Sequence, residues 1–290
     1  MPPVFRSIEG ETRFMAAYDA VLEDWPVEYQ SLHIPTRLGS THLIASGPAN
    51  APVAILLPSM AGTATLWQPN VAALSRHFRT YAVDVIGQVG KSVPTRRIRS
   101  SLDFADWLVD VMDGLGVRRA SLIGSSYGAF LAMNQALATP ERVERLVLIG
   151  SAVTATNQAL LEVQASLRTL QNPVPAQFAR QFQASTAYAA LPEAFFDQLV
   201  TESRKLPARL WREVLDGAIT FDDAADLGQI MAPTLLLWGD RDALFPRQEQ
   251  ERLVASIPDA RLLVYPETGH CPNWEHPERV ANDLDAFMRQ

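Results

Sequence analysis

The sequence predicts an α/β fold with a mostly parallel central sheet, helices on both faces and one helical insertion. Short apolar runs alternate with helix-like segments along most of the 290 residues. Most of these runs are continuously apolar, as expected for strands that are buried on both faces. Residues 153–226 break the alternation, because they carry helical patterns and no good strand.

The composition is that of a soluble globular protein and excludes several other classes of protein. Hydrophobic residues make up 48% and charged residues 20% of the chain. A formal net charge of −7 disfavours non-specific nucleic-acid binding. Cys271 is the single cysteine, so no intrachain disulfide can form. No apolar run is long enough to span a membrane and no secretory pattern begins the chain, so we expect a cytoplasmic protein. The sequence leaves the oligomeric state open, a homodimer included.

The first 27 residues form a polar lead-in that we expect to be partly helical and to pack against the main domain. Four of its apolar and aromatic residues fall at helical spacing before Pro26: Tyr18, Val21, Leu22 and Trp25.

The core is predicted to comprise residues 28–152 and 227–290, with residues 153–226 as a helical insertion between two strands. The first two strands read as an antiparallel hairpin, which would lie at one edge of the sheet. The helical segments between the later strands provide the crossovers that parallel strands need. The predicted strands are Glu28–Ile34, Thr41–Ala45, Val53–Leu57, Thr80–Val83, Ala120–Ile123, Arg145–Ile149, Thr234–Trp238 and Arg261–Val264. The predicted helices are Trp67–His77, Leu102–Leu115, Tyr127–Ala138 and Pro277–Met288.

A candidate nucleophile lies in Gly124-Ser125-Ser126-Tyr127-Gly128, between a predicted strand and a predicted helix. A nucleophile elbow requires this context, because its turn is tight and strained and small residues must flank the serine. The glycine spacing selects Ser126 over Ser125. Ser126 would project from the end of the strand, where the helix N-terminus favours developing negative charge.

A serine hydroxyl needs an adjacent base, and His270 is the best-placed histidine. It lies in Thr268-Gly269-His270, a loop just after the last predicted strand. Ligands of open α/β sheets collect outside the carboxyl ends of the strands, so this loop faces the expected site. His276, at the start of the final helix, is the alternative base.

The supporting acid should also follow a strand. Asp240 and Asp242 both come directly after Thr234–Trp238. A carboxylate here would accept a hydrogen bond from the imidazole, fix its tautomer and stabilise the imidazolium. Position alone leaves both aspartates open. Gly150-Ser151-Ala152, after the preceding strand, contains no acid.

These motifs, in the chain order Ser, Asp, His, resemble the α/β-hydrolase superfamily over roughly residues 28 to 290. The resemblance is greatest to esterase-like members with a helical cap, and most of all to bacterial carboxylesterases of the naproxen-esterase kind. In the family the acid is the fourth residue of a G-x-x-D stretch with a proline four residues further on. Gly239-Asp240-Arg241-Asp242 with Pro246 fits that pattern. The resemblance therefore implies Asp242. Residues 84–92 resemble the family's D-x-x-G-x-G-x-S loop with one extra residue.

The resemblance also implies an oxyanion hole made by main-chain N–H groups. Family members often carry His-Gly after the third strand, where this chain has Pro58-Ser59. Aligning the two dipeptides makes the Met60 N–H one donor. The N–H of Tyr127, just after the nucleophile, is the other.

The function expected from these residues is hydrolysis of a small-molecule ester through an acyl-enzyme, without a metal or organic cofactor. Family members that cleave carbon–halogen bonds or epoxides use an aspartate at the elbow, so Ser126 favours acyl transfer. Aromatic residues in the insertion suggest an apolar substrate, although packing inside the cap explains them better. Lactone, amide, C–C or perhydrolysis chemistry stays open, as does a ligand receptor without turnover. Cys271 beside His270 is interpreted as a buried, incidental thiol.

Overall fold

The computed structural model describes residues 5, 7–151, 158–170, 174–212 and 226–290. Its core is a single sheet of nine strands. They are β1 (Tyr29–Thr36), β2 (Gly39–Ser46), β3 (Val53–Leu57), β4 (Arg79–Val83), β5 (Val93–Pro94), β6 (Ala120–Ser125), β7 (Val143–Ile149), β8 (Thr234–Gly239) and β9 (Ala260–Tyr265). Their order across the sheet is β1-β2-β4-β3-β6-β7-β8-β9, and β5 pairs with β2.

The sheet is antiparallel at one edge and parallel over the rest of its width. Strand β2 is antiparallel to β1, β4 and β5. Every pair from β4–β3 to β8–β9 is parallel. The predicted mostly parallel sheet with an antiparallel edge is therefore confirmed. The two-residue strand β5 was absent from the prediction, because a pair of residues carries no periodic pattern.

Helices cover both faces of the sheet. They are α1 (Ile8–Glu23), α2 (Gln68–Leu74), α3 (Ser101–Gly114), α4 (Tyr127–Ala138), α5 (Gln158–Thr169), α6 (Ala176–Thr186), α7 (Glu193–Lys205), α8 (Arg247–Ser256), α9 (Pro272–Glu275) and α10 (Pro277–Met288). Successive side chains of a strand point to opposite faces. In β3, Leu56 packs in the cluster formed with α1, α2 and α10, whereas Ile55 and Leu57 pack in the cluster formed with α3, α4 and α8.

The lead-in helix α1 lies against the core. Its buried face consists of Phe14, Tyr18 and Leu22. The Tyr18 hydroxyl donates to Asp84 Oδ1 at 3.3 Å. The last turn predicted for α2 is instead a non-helical turn over residues 75–78.

The described part of the insertion, hereafter the cap, consists of α5, α6, α7 and the helical residues 208–212. Residues 152–157, 171–173 and 213–225 of this region lie outside the described residues. Trp211 is fully buried and its ring meets those of Phe178 and Phe182 edge-on at 6.1 and 5.0 Å. Phe195 packs edge-on against Trp274 of α9. These aromatic residues thus form the interior of the cap and its contact with the core. No helix in the described ranges has the length and apolar character that a bilayer crossing demands.

Candidate active site

Ser126 occupies a strained turn between the end of β6 and the start of α4. Its backbone has φ 51° and ψ −112°, a conformation that non-glycine residues rarely adopt. The turn is held by the Ser126 N–H, which donates to the Ile149 carbonyl at 2.8 Å, and by the Ser126 carbonyl, which accepts from the Ala129 N–H at 2.9 Å. Backbone strain of this kind persists only where surrounding contacts hold the residue in place, and it is common at functional sites.

Glycines on either side of Ser126 allow the backbone to pack closely at the turn. A Cβ atom on Gly124 would lie 2.2 Å from the Gly128 carbonyl oxygen. A Cβ atom on Gly128 would lie 2.1 Å from the carbonyl oxygen of Leu57, the last residue of β3. Any larger residue at either position would push α4 away from the sheet. The two glycines of the motif are therefore required by packing.

His270 and Asp242 form a buried pair beyond the ends of β8 and β9. His270 Nδ1 lies 2.9 Å from Asp242 Oδ2, and the two side chains are 2% and 0% exposed. Asp242 Oδ1 accepts from the N–H groups of Leu244 and Phe245 at 2.8 and 3.1 Å. The carboxylate is thus fixed by three hydrogen bonds in a site of low local dielectric, where each bond is strengthened. Asp240 is a third exposed and approaches Arg241 instead, at 3.7 Å.

The other ring nitrogen of His270 is free to act on a neighbour. Nε2 is buried and makes no hydrogen bond within the described part of the chain. The Nδ1–Cε1 edge of the ring lies close to Gly150, where a Cβ atom would lie 3.0 Å from both Nδ1 and Cε1. Since Ser126 binds the carbonyl of Ile149, the nucleophile and the imidazole both lie against the dipeptide Ile149-Gly150 at the end of β7.

His276, the alternative base, has a different environment. Its Nε2 lies 2.9 Å from Thr268 Oγ1, and its ring is stacked on that of Tyr265. His276 also occupies the N-cap position of α10. The Nε2 of this histidine is therefore engaged in holding the loop that precedes His270.

Cys271 lies beneath the site and is 1% exposed. Burial is the main cause that raises the pKa of the Cys271 thiol well above its usual value, with Asp242 as the next cause. The hydroxyls of Ser125 and Ser59 lie near the thiol and act to lower its pKa, without cancelling this rise. Because only the thiolate is a good nucleophile, this environment disfavours thiol chemistry.

The main-chain N–H groups of Met60 and Tyr127 both lack hydrogen-bond partners among the described residues. Tyr127 is the first residue of α4, where N–H groups have no acceptor within the helix. The next amide after Met60, that of Ala61, already donates to Gln88 Oε1 at 2.9 Å. In the described part of the chain, the Met60 N–H is thus unpaired, whereas the Ala61 N–H is hydrogen-bonded.

The cap contacts the His270 loop directly. The His270 N–H donates to the carbonyl of Thr186, at the end of α6, at 2.8 Å. Glu275 accepts from the N–H of Gly269 at 2.7 Å and also from the N–H groups of residues 188–189. One carboxylate therefore ties the loop that carries the histidine to the cap.

Two residues near the site were missed by the sequence reasoning. Gly150 was noted only for the absence of an acid, although a glycine directly after a strand is a signal of close packing. Glu202 of α7 gave no signal, since it reads as one more polar residue of an amphipathic helix. In the described ranges, no three His, Cys, Asp or Glu side chains cluster as a metal site would require.

The family model described as the alpha/beta hydrolase fold matches residues 52–277, and the chain therefore belongs to that family. Carboxylesterase YbfK of Bacillus subtilis strain 168 is 32% identical over an alignment of 301 positions, which covers 98% of this chain and 96% of that protein. The crystal structure of naproxen esterase from Bacillus subtilis is 29% identical with a TM-score of 0.84, and the match covers 98% of this chain and 99% of that one. The predicted resemblance to such carboxylesterases is confirmed. A 2-hydroxy-6-oxononadienedioate/2-hydroxy-6-oxononatrienedioate hydrolase of Paraburkholderia phymatum is 30% identical over an alignment of 245 positions, which covers 80% of this chain and 84% of that protein.

Proposed function

We propose that this protein is a serine carboxylesterase that cleaves esters of apolar small molecules through an acyl-enzyme. The observation that carries the proposal is the buried His270–Asp242 pair, whose Nε2 makes no hydrogen bond in the described part of the chain. His270 and the turn that carries Ser126 both contact the end of β7. Support also comes from the carboxylesterases to which the chain is similar over nearly its whole length.

In the proposed reaction, Ser126 attacks the ester carbonyl while His270 Nε2 takes the hydroxyl proton. Asp242 accepts the hydrogen bond from Nδ1, which fixes the tautomer with the lone pair on Nε2 and stabilises the imidazolium that forms. The 2.9 Å separation of Nδ1 and Oδ2 suits this role. His270 then returns the proton to the leaving alcohol.

The Met60 and Tyr127 N–H groups are the proposed donors to the oxyanion of the tetrahedral intermediate. Each donor contributes ~3–4 kcal/mol of transition-state stabilisation in comparable sites. Deacylation repeats the cycle with water, which His270 activates. Proton transfer and main-chain hydrogen bonds supply every step of this mechanism.

The proposed substrate preference rests on apolar side chains beside these residues. Met60 is half-buried and packs against both hydrophobic clusters of the core. The Phe245 ring lies 5.3 Å from the His270 ring. Such surroundings favour an apolar acyl or alcohol group over a charged one.

Labelling with a fluorophosphonate and mass spectrometry of the modified peptide tests the nucleophile. We expect one adduct, on Ser126, and turnover of p-nitrophenyl butyrate that Ser126→Ala abolishes. Ser125→Ala is the matched control, because it removes the neighbouring hydroxyl from the same motif and should keep most of the activity. An adduct on another residue, or normal turnover by Ser126→Ala, contradicts the proposal.

Hydrolysis of a C–C bond is the second candidate, because the Paraburkholderia phymatum hydrolase shares 30% identity with this chain. The same Ser126, His270 and Asp242 would serve such a reaction. Comparing kcat/KM for p-nitrophenyl butyrate with that for 2-hydroxy-6-oxo-6-phenylhexa-2,4-dienoate separates the two. An esterase should prefer the first substrate by several orders of magnitude.

A further inference from the structure

We infer that Glu202, a carboxylate of cap helix α7, is a positioning residue that holds the loop of residues 58–65 so that the Met60 N–H faces the oxyanion. This inference rests on the proposed function and adds to it a residue that belongs to the cap. Glu202 acts through the loop and does not itself contact the reacting atoms.

The contacts between Glu202 and the loop are numerous and buried. Oε2 accepts from the N–H of Thr63 at 3.0 Å. Oε1 accepts from the hydroxyls of Thr63 and Thr65 at 3.2 and 3.0 Å. Gln198, one turn earlier on α7, donates to Oε1 at 3.0 Å and to Thr65 Oγ1 at 2.8 Å. Glu202 is only 6% exposed and both threonines are fully buried.

The loop requires fixing from outside, because its own conformation is strained. Ala61, directly after Met60, has φ 61°, which costs an L-residue about 1–2 kcal/mol. Asp84 holds the loop from the core side, where Oδ1 accepts from the Ala64 N–H at 2.8 Å. Glu202 holds the adjacent amide, that of Thr63, from the cap side. Two carboxylates on successive amides thus fix the segment that follows Met60.

The environment of Glu202 allows an uncharged acceptor to take its place. Burial is the main cause that raises the pKa of Glu202 to about 7, and the nearby charge of Asp84 adds to it, while the hydrogen bonds from Gln198, Thr65 and Thr63 oppose the rise. No Lys or Arg pairs with Glu202 in the described part of the chain. A glutamine would keep an oxygen for the Thr63 N–H, so the hydrogen bond and not the charge is the essential feature.

A positioning role and a purely structural role predict different kinetics. Displacement of the Met60 N–H weakens binding of the tetrahedral species and leaves ground-state binding intact. The variant Glu202→Leu keeps the volume and removes both acceptor oxygens. We expect it to lower kcat about 10–100-fold, part of the effect of losing one oxyanion donor, with KM changed less than threefold. Glu202→Gln should recover most of kcat. Glu193→Leu, an exposed glutamate on the same helix, is the matched control and should behave as wild type.

The assay is steady-state hydrolysis of p-nitrophenyl butyrate, together with inhibition by a trifluoromethyl ketone whose hydrated adduct mimics the tetrahedral species. For Glu202→Leu, the inhibition constant should rise by the same factor by which kcat/KM falls. Circular dichroism checks that each variant is folded, and Glu202→Ala replaces the leucine variant if that one does not fold.

The outcomes separate this inference from the proposed function. In one outcome the wild-type protein turns over ester and Ser126→Ala abolishes that turnover, while a folded Glu202→Leu or Glu202→Ala keeps the wild-type kcat. This combination overturns the inference and leaves the proposed function standing. An effect on KM only, or a glutamine variant as impaired as the leucine variant, also overturns it. Absence of turnover in the wild-type protein overturns the proposed function, and the inference with it.

Discussion

Replacement of Gly150 by alanine tests how tightly the candidate site is packed. Gly150 has φ 55°, in the left-handed region, and follows the last residue of β7. An added Cβ atom would lie 2.3 Å from the His270 carbonyl oxygen and 3.0 Å from Nδ1 and Cε1 of its ring. The variant Gly150→Ala therefore strains the backbone and pushes His270 away from its place.

The geometry gives the size of both effects. Alanine in the left-handed region costs about 1–2 kcal/mol of stability. Relief of the 2.3 Å contact to an ordinary separation of about 3.5 Å requires a shift of about 1 Å. A misplacement of that size lowers catalysis by about 100-fold. The Asp242 hydrogen bond, now 2.9 Å, would lengthen as the ring moves.

The control for this experiment is Gly116→Ala. Gly116 also has a positive φ, 69°, but a Cβ atom there would meet nothing within 4 Å. Gly150→Ala should lose at least as much free energy of unfolding in urea as Gly116→Ala, because it adds the steric clash to the same backbone strain. Only Gly150→Ala should lose kcat/KM for p-nitrophenyl butyrate. A Gly150→Ala protein whose kcat/KM stays within threefold of that of Gly116→Ala would refute the reasoning.

Three further predictions concern the buried carboxyl groups. Asp242→Asn should lower kcat by about 10⁴-fold in the ester assay, because an amide stabilises the wrong tautomer of His270. A loss below tenfold contradicts the role of Asp242 as the partner of His270 in catalysis. Asp84→Ala should reduce the free energy of unfolding in urea by about 3–5 kcal/mol, because it leaves unpaired the donors that now lie 2.7–2.9 Å from the Asp84 carboxylate, His42 Nδ1 among them. A loss under about 1 kcal/mol contradicts this prediction. Burial raises the pKa of Glu202 from its usual 4.5 to about 7, so its protonated form is favoured by folding, and that stability is lost as the pH rises through 7. The stability of Glu202→Gln relative to wild type should therefore increase by about 2 kcal/mol between pH 5 and pH 8 in urea unfolding, whereas a constant difference would show that Glu202 has an ordinary pKa.

The sheet was predictable because its strands are marked by local pattern. Continuous apolar runs such as Val53–Leu57 can only be buried on both faces, and the helical segments between them force parallel crossovers. Strand β5 has two residues and pairs with β2 through tertiary contact. Its existence depends on where the chain returns to the sheet, which no period in the sequence encodes.

The candidate nucleophile was also a local prediction. Gly124 and Gly128 mark a strand–turn–helix junction, and the structure gives the physical reason in the close backbone contacts at both positions. The choice between Asp240 and Asp242 was different, because the two lie two residues apart after the same strand. Side-chain direction at the end of β8 decides which of them meets His270, and that direction follows from packing.

The sequence by itself therefore determined the fold class, the elbow at Ser126 and the loop that carries His270, because each is encoded within a few consecutive residues. The tertiary structure alone decided which amide of the Met60 loop stays free and which groups hold that loop. Glu202 and Thr63 are 139 residues apart in the chain, and their hydrogen bond forms only because the cap folds back over the end of the sheet. Contacts between residues so far apart in the chain depend on how whole helices and strands pack together, and the hydrophobic periodicity of the sequence does not predict them.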